Sequence, residues 1–378
     1  MPKTDRVFSA KDNLPEVVLD FAAALRFSSH RVLVTPKLRE WIPIPSFRWI
    51  PTSLIIDIRD ILGHLCLVPF SIWNYRADLI VVKGFRTSML ALAMLGLWPF
   101  RRKLLFIIHH NLQWAHVRPH ERILKLLFRM GLQFGLLEGE DGVAELGVKP
   151  NERRLVVLPL PVQLSPSLPR AHRQPVKPTE IGVIGRDLRE KNTDDLLRLL
   201  VSWRSRGQLQ GRIILASDNV KLLRDWQSEH VLTINTSKYE DYIDALARCD
   251  VAIVNYARDY YYYRSSGIIN DAASLGTAVV CPNFPVLRRQ VTEPVRVGAL
   301  FDTAAGILPA INLALEIART EPGNFALWAA HRRPEEFSRR IDAFIDRAQH
   351  ADAPCGRGSP STVDMSQKPV AEDRIGGA

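Results

Sequence analysis

Cysteine is scarce in this chain of 378 residues, which contains only four. Their positions, Cys66, Cys249, Cys281 and Cys355, match no zinc or iron–sulfur ligand spacing. Three of them lie in apolar stretches of the sequence. We therefore expect neither a cysteine metal centre nor a disulfide framework, and a reducing compartment.

Long apolar runs are missing as well. The most apolar segment, residues 89–100, is interrupted by Gly96 and Pro99, whereas a helix needs about 20 apolar residues to span a bilayer. The first residues are charged and have no apolar centre of the signal-peptide type. We therefore expect a cytoplasmic protein. Its apolar content of 47% and charged content of 24% are ordinary for a globular chain, and its length suits two domains.

Acidic residues are few in one part of the chain, where basic residues accumulate. Residues 76–130 contain ten Lys or Arg against Asp78 and Glu121, a net charge of +8 within a total of +10. A basic face suggests an anionic partner, namely nucleic acid, a membrane surface or a phosphorylated substrate, although it can also be merely solvated. The segment 119–130 has helical amphipathic spacing, with Arg122, Lys125 and Arg129 near one face.

Short apolar runs alternate with helical patterns along most of the chain. Strands are predicted at 6–10, 31–35, 78–83, 104–108, 134–137, 155–158, 180–184, 212–216, 231–234, 251–254 and 278–281. Helices are predicted at 16–27, 53–75, 87–97, 119–130, 141–146, 193–206, 220–228, 239–248, 304–317 and 325–349. This alternation occurs on both sides of a proline-rich segment, 163–178. It predicts an α/β protein with two doubly wound, Rossmann-like domains that face each other across a cleft.

Residues 262–281 carry the clearest site pattern: a polar loop, a short helix and a buried strand. Arg264, Ser265, Ser266 and Gly267 precede the helix, whose first N–H groups and dipole favour an anion such as phosphate. Asp271 lies about one turn further on and can accept hydrogen bonds from sugar hydroxyls. An ordinary helix N-cap before a buried strand would give the same pattern.

The ends of other strands carry further candidates, because ligands bind beyond the carboxyl ends of parallel strands. Arg186 and Lys191 follow the strand at 180–184 and are spaced to clamp a diphosphate. His109 and His110 follow the strand at 104–108 and suit proton transfer or hydroxyl binding. Each of these loops can also be an ordinary solvent-exposed loop.

These motifs together resemble the donor half of the GT-B glycosyltransferases, in particular the large retaining group that builds bacterial polysaccharides and glycolipids. The resemblance is strongest over residues 180–289 and weaker over 76–162. It implies that Arg186 and Lys191 hold the donor diphosphate and that Asp271 holds the ribose. It further implies that Ser265, Ser266 and Gly267 cap the phosphates and that His109 or His110 approaches the transferred sugar.

The sequence departs from this family at three places. Tyr263 stands where the family has the first of two glutamates, and the shorter Asp271 stands where it has the second. Asn13, on the acceptor side, lies in a segment that replaces a glycine-rich loop.

The resemblance implies an acceptor-side domain at 1–162, a nucleotide-sugar donor domain at 179–320 and helices at 321–350 that return to the first domain. The composition predicts a proline-rich linker at 163–178. It also predicts a disordered tail at 351–378, which is rich in Gly, Ser, Pro and charge. We expect a hexosyltransferase that uses a UDP- or GDP-sugar and a saccharide or lipid-linked acceptor in cell-surface synthesis. The expected partner surface is an anionic inner membrane, contacted through Arg122, Lys125 and Arg129, and no nucleic acid.

No metal or other cofactor is expected, because no Asp-x-Asp pair follows a strand and cations can neutralise the leaving diphosphate. Two alternatives remain: a nucleotide-sugar epimerase of the same fold, and a catalytically inactive binding subunit.

Overall fold

The protein is described by a computed structural model, continuous over residues 191–350. Of the first half it describes residues 25, 28–30, 32–35, 65, 68–69, 73, 76–83, 94–108, 118–141, 143, 154–162 and 179–185. The strand predicted at 6–10, the linker at 163–178 and the tail at 351–378 lie outside these residues.

The first sheet has five parallel strands in the order of the sequence. They are β1 (Val32–Thr35), β2 (Leu79–Lys83), β3 (Leu104–Ile108), β4 (Gln133–Leu137) and β5 (Leu155–Leu158). All five residues of β3 and all five of β4 are buried. Their apolar runs form central strands because both faces of a parallel sheet are covered.

Helices cover both faces of this sheet. On one face, Phe106 and Phe134 share a core with Leu124 and Leu127 of helix α1 (Arg118–Arg129). A 3₁₀ helix, Trp98–Lys103, precedes β3. On the other face, the alternate residues Leu105 and Ile107 pack in a second core. The opposite placement of neighbouring residues follows from the two-residue period of a strand.

The second sheet has six parallel strands in the order β11-β10-β9-β6-β7-β8. They are β6 (Glu180–Ile184), β7 (Arg212–Ser217), β8 (Val231–Asn235), β9 (Val251–Ile253), β10 (Ala278–Pro282) and β11 (Gly298–Phe301). The chain first places β7 and β8 on one side of β6. It then places β9, β10 and β11 on the other side. The neighbours β6 and β9 therefore mark a topological switch point, the usual ligand site of such sheets.

Helices connect these strands and cover both faces of the sheet. They are α2 (Thr193–Ser205), α3 (Val220–Trp226), α4 (Tyr239–Arg248), α5 (Arg258–Tyr261), α6 (Gly267–Ser274), α7 (Pro285–Thr292) and α8 (Ile307–Thr320). Two more helices follow, α9 (Gly323–Ala330) and α10 (Pro334–His350).

The predicted fold class is confirmed: two parallel sheets, each covered by helices. Several features differ from the predicted elements. Helices α5 and α7, the 3₁₀ helix Trp98–Lys103 and strand β11 were not predicted. The helix predicted at 325–349 is two helices, because residues 331–333 turn the chain between α9 and α10.

The last helix returns to the first sheet. Phe337, Ile341, Phe344 and Ile345 of α10 share the core of Leu105 and Ile107. The domain bounds stay predictions. Within the part of the chain that the structure describes, no helix combines the length and the apolar character needed to cross a bilayer.

Candidate functional site

A small cleft opens at the switch point of the second sheet. Its lining comes from the carboxyl ends of β6 and β9 and from the start of α2. The lining includes Ile184, Gly185, Lys191, Thr193, Asn255 and Tyr256. The pocket therefore lies where an open α/β sheet binds its ligand.

Gly185 and Lys191 lie in close contact in this cleft. Gly185 has a φ of +121°, which favours glycine. A Cβ atom on Gly185 would lie 2.7 Å from the Lys191 Nζ atom and 2.5 Å from Ile268 at the start of α6. The glycine thus allows the lysine and the first turn of α6 to converge. Arg186, the other predicted diphosphate ligand, lies outside the described residues.

The N-terminus of α6 is capped by Ser266. Its Oγ atom accepts a hydrogen bond from the Ile269 N–H at 3.4 Å and shares another with the Tyr256 hydroxyl at 2.7 Å. Buried tyrosine hydroxyls need such a partner, and Tyr256 is 4% exposed. The ordinary N-cap interpretation of this loop is therefore correct for Ser266, and it places the helix end at the cleft.

The predicted phosphate loop differs from the structure in one respect. The Ser266 N–H donates to Gln290 Oε1 at 3.0 Å and is thereby engaged, while Ser265 and Ser266 are both buried. Gly267, by contrast, is exposed, and a Cβ atom placed on it would meet none of the described residues within 4 Å. An anion at this helix would meet the backbone from Gly267 onward.

Asp271, the predicted ribose ligand, is bonded to Tyr242. The Tyr242 hydroxyl on α4 donates to Asp271 Oδ2 at 2.7 Å. Burial and the negative charge of Asp271 raise the pKa of Tyr242 well above its ordinary value, with Tyr256 and Tyr239 adding to the effect. Tyr242 therefore stays protonated at neutral pH and acts as a donor to the carboxylate.

Arg264 and Tyr263 belong to an aromatic loop. Tyr261 stacks on Tyr256 with ring centroids 3.6 Å apart, and the Arg264 guanidinium lies 4.4 Å from the Tyr261 centroid. Tyr263 packs against the core of the first sheet that contains Phe106 and Phe134. The residue at the family's first glutamate position thus joins the two halves of the molecule.

The acceptor-side candidates are only partly within the described residues, since Asn13, His109 and His110 lie outside them. β3 ends at Ile108, so both histidines follow directly at the carboxyl end of a buried strand. Arg122 and Arg129 of α1 are exposed, whereas Lys125 is half-buried and forms an i,i+4 ion pair with Glu121.

Gln290 and Asn270 were missed by the sequence analysis. Gln290 Nε2 donates to the Ser266 carbonyl at 2.8 Å and to Asn270 Oδ1 at 2.6 Å, and both side chains are buried. Asn270 Nδ2 in turn donates to the Leu160 carbonyl at 2.8 Å. The sequence signal for them was a polar residue on the buried face of a short helix, Asn270 in α6 and Gln290 in α7. Among the residues that the structure describes, no group of three or more His, Cys, Asp or Glu side chains is placed to hold a metal ion.

Solved structures with a similar fold include glycosyltransferases. A glycosyltransferase from Rickettsia africae ESF-5 superposes with a TM-score of 0.54 at 12% identity, over 88% of this chain and 94% of that chain. An α,α-trehalose-phosphate synthase (UDP-forming) from Burkholderia xenovorans gives 0.53 at 12% identity, over 77% and 79%. WaaG, a glycosyltransferase involved in lipopolysaccharide biosynthesis, gives 0.52 at 12% identity, over 88% and 97%.

No protein-family model and no curated protein sequence matches the chain. The structural similarities establish the GT-B fold of this chain, as the motifs had indicated.

Proposed function

We propose that this protein is a glycosyltransferase that moves a sugar from a nucleotide-diphosphate sugar to a saccharide or lipid-linked acceptor. The observation that carries the proposal is the cleft at the switch point of the second sheet. There Gly185, Lys191 and the N-terminal end of α6 converge, and this combination of cation, glycine and helix end suits a diphosphate.

The donor chemistry follows from this arrangement. When the sugar–phosphate bond breaks, negative charge develops on the leaving diphosphate, and preorganised positive groups lower the energy of that state. Lys191 supplies one charge and the dipole of α6 supplies partial charge. Arg186 would add a second full charge. We propose that these groups replace a metal ion, so that transfer proceeds in the presence of a chelator.

The donor base is proposed to be uracil or guanine, and the sugar a hexose. One similar structure is UDP-forming by its printed name, which favours UDP. Asp271 holds the ribose hydroxyls, and Tyr256 forms part of the cleft wall. His109 or His110, after β3, approaches the transferred sugar from the acceptor half.

The acceptor is proposed to belong to bacterial cell-surface polysaccharide or glycolipid synthesis, on the cytoplasmic face of an anionic inner membrane. Two features support a peripheral membrane contact. Arg122 and Arg129 are exposed on α1. Leu126 of α1 is 52% exposed and Leu95 is 81% exposed. The neighbours of Leu95, Met94 and Leu97, pack in the same core of the first sheet as α1. Exposed basic and apolar side chains together suit attachment to an anionic bilayer surface.

An inactive binding subunit of the same fold is the second candidate. The observation that favours it is Tyr263, which stands at a glutamate position of the family and packs against the first sheet. A nucleotide-sugar epimerase is less favoured, because the described cleft lining offers few groups for acid–base chemistry.

The test is to incubate the purified full-length protein with a panel of UDP- and GDP-hexoses and to follow released nucleotide by mass spectrometry. We expect UDP or GDP release from one donor, accelerated by the correct acceptor and unchanged by EDTA. Binding of nucleotide without release from any donor would support the inactive subunit. Recovery of an isomerised nucleotide sugar would support the epimerase. Loss of release with EDTA would show that a metal takes part.

A further inference from the structure

Tyr242 is the residue that fixes the orientation of Asp271. It lies in the first turn of α4, which starts near the carboxyl ends of the strands, and Asp271 lies in the second turn of α6. The two helices are joined here by the 2.7 Å hydrogen bond from the Tyr242 hydroxyl to Asp271 Oδ2. Tyr242 is partly buried and packs against an apolar core of the second sheet, and Asp271 is also partly buried.

The bond restricts the rotamers that the Asp271 side chain adopts. A partly exposed aspartate on a helix samples several χ1 and χ2 rotamers, and a hydrogen bond to a charged acceptor selects among them. A carboxylate accepts up to about four hydrogen bonds, so the bond from Tyr242 is compatible with hydroxyl ligands on the same group. The raised pKa of Tyr242, caused first by burial and then by Asp271, keeps the tyrosine a donor.

Tyr256 forms a comparable hydrogen bond at the start of α6. Its hydroxyl shares a hydrogen bond with the N-cap Ser266, and Tyr256 also lines the cleft. Two tyrosine hydroxyls from different elements thus hold α6, one at its N-cap and one at Asp271. The two hydrogen bonds fix the N-cap of α6 and the Asp271 carboxylate relative to the cleft wall and to α4.

We propose that Tyr242 is a positioning residue that holds the Asp271 carboxylate in the orientation that reads the ribose diol of the donor nucleotide. This inference rests on the proposed function, because it assigns a role in the same nucleotide site. When a mobile aspartate binds a ribose, ordering the side chain costs part of the binding free energy. Here the hydrogen bond from Tyr242 orders it before the ligand arrives.

The test is calorimetric titration of the full-length protein with UDP and GDP and with their 2′-deoxy and 3′-deoxy forms. Tyr242→Phe removes one hydroxyl and keeps the ring. We expect it to weaken binding of the ribonucleotide roughly three- to tenfold and to leave at least one deoxy form nearly unchanged. Thr320→Val is the control, since it removes a hydroxyl from an exposed residue at the C-terminal end of α8 and should change neither affinity.

Asp271→Asn supplies a second, independent variant. It keeps an acceptor for Tyr242 and loses the charge, so it should also reduce the preference for the ribonucleotide. In an Asp271→Ala background, Tyr242→Phe should add little further loss, because the carboxylate that Tyr242 orients is absent.

The outcomes separate the two proposals. If the wild-type protein binds no nucleoside diphosphate, the proposed function fails and this inference fails with it. If the wild type binds and prefers the ribonucleotide, but Tyr242→Phe weakens ribo and deoxy forms equally or not at all, only the role of Tyr242 is overturned. A thermal-unfolding midpoint measured for each variant separates a folding defect, which lowers all affinities, from a selective one.

Discussion

The carboxylate of Glu138 and the guanidinium of Arg332 form a buried ion pair, with Nη2 and Oε2 2.7 Å apart and each side chain 4% exposed. Glu138 follows the last residue of β4 in the first sheet, and Arg332 lies in the turn between α9 and α10. The Arg332 carbonyl also accepts the Val162 N–H at 2.9 Å. The two places where the chain passes between the sheets are therefore hydrogen-bonded to each other.

This pair is connected to the candidate donor site. Glu138 Oε1 accepts the Leu160 N–H at 2.8 Å, and the Leu160 carbonyl accepts from Asn270 of α6. Asn270 is bonded to Gln290, which holds Ser266 at the N-cap of α6. A series of hydrogen bonds between buried polar groups therefore connects the Glu138–Arg332 pair to the N-terminal end of α6, which we assign to the diphosphate. A second ion pair, Arg289 with Asp141, also joins the two halves.

Breaking the buried pair should destabilise the protein strongly. Arg332→Met leaves the Glu138 carboxylate buried without its partner and should lower the free energy of unfolding by about 3–5 kcal/mol. Urea unfolding measures the change. In the double variant Glu138→Gln with Arg332→Met no uncompensated charge remains, so its loss should be smaller than the sum of the two single losses. Additive losses would contradict a direct coupling of the pair.

Removing the cleft lysine should weaken donor binding. Lys191→Ala deletes one charge-assisted hydrogen bond to the diphosphate, which costs about 1.5–3 kcal/mol of binding free energy. We expect the same for Arg186→Ala. Calorimetry with UDP and GDP checks both, and Lys221→Ala, an exposed lysine on α3, is the control. Wild-type affinity in both cleft variants would exclude these residues as diphosphate ligands.

The stability contributed by Glu336 should depend on acid pH. Hydrogen bonds from Arg339 and Arg340 lower the pKa of Glu336 in α10 to about 2, against an ordinary value of 4.5, despite partial burial. Because the folded-state pKa is depressed, the contribution is fully present above about pH 4.5 and is lost as the pH falls towards 2.

Glu336→Gln should therefore lower the unfolding free energy at pH 7, and the difference from wild type should shrink between pH 4.5 and 2. Urea unfolding at a series of pH values measures this. A difference that stays constant down to pH 2 would show that the charge of Glu336 does not contribute.

The basic face of α1 should attach the protein to anionic vesicles. We expect the protein to sediment with anionic liposomes at low salt, to stay in solution with neutral ones, and to be released as salt screens the surface charge. Reversal of Arg122, Lys125 and Arg129 to glutamate should abolish sedimentation and leave nucleotide affinity unchanged.

The control for this experiment is the reversal of three exposed arginines of the second half, Arg224, Arg319 and Arg333, which should leave sedimentation intact. If the wild type does not sediment with anionic liposomes at low salt, the proposed membrane contact is wrong. A soluble phosphorylated saccharide then becomes the better candidate for the acceptor.

The sequence alone determined ten of the eleven strands of the two sheets, since runs such as 104–108 and 278–281 are apolar throughout and form buried parallel strands. It also determined the start of α6, because Ser266 caps the helix through a local bond to Ile269. Strand β11 escaped prediction, since Gly298–Phe301 is short and begins with a glycine. Hydrophobic periodicity and helix capping depend on residues close in the sequence, so the elements that they specify can be predicted without knowledge of the fold.

Only the tertiary structure decided what the site residues contact. The N–H of Ser266 is engaged by Gln290, 24 residues away, and Tyr263 packs against the other sheet. Asp271 accepts from Tyr242, which lies 29 residues before it, and Arg332 pairs with Glu138, which lies 194 residues before it. No local pattern encodes these partners, because they are brought together only by the packing of α4, α6 and α7 on the sheet and by the return of the chain at Arg332.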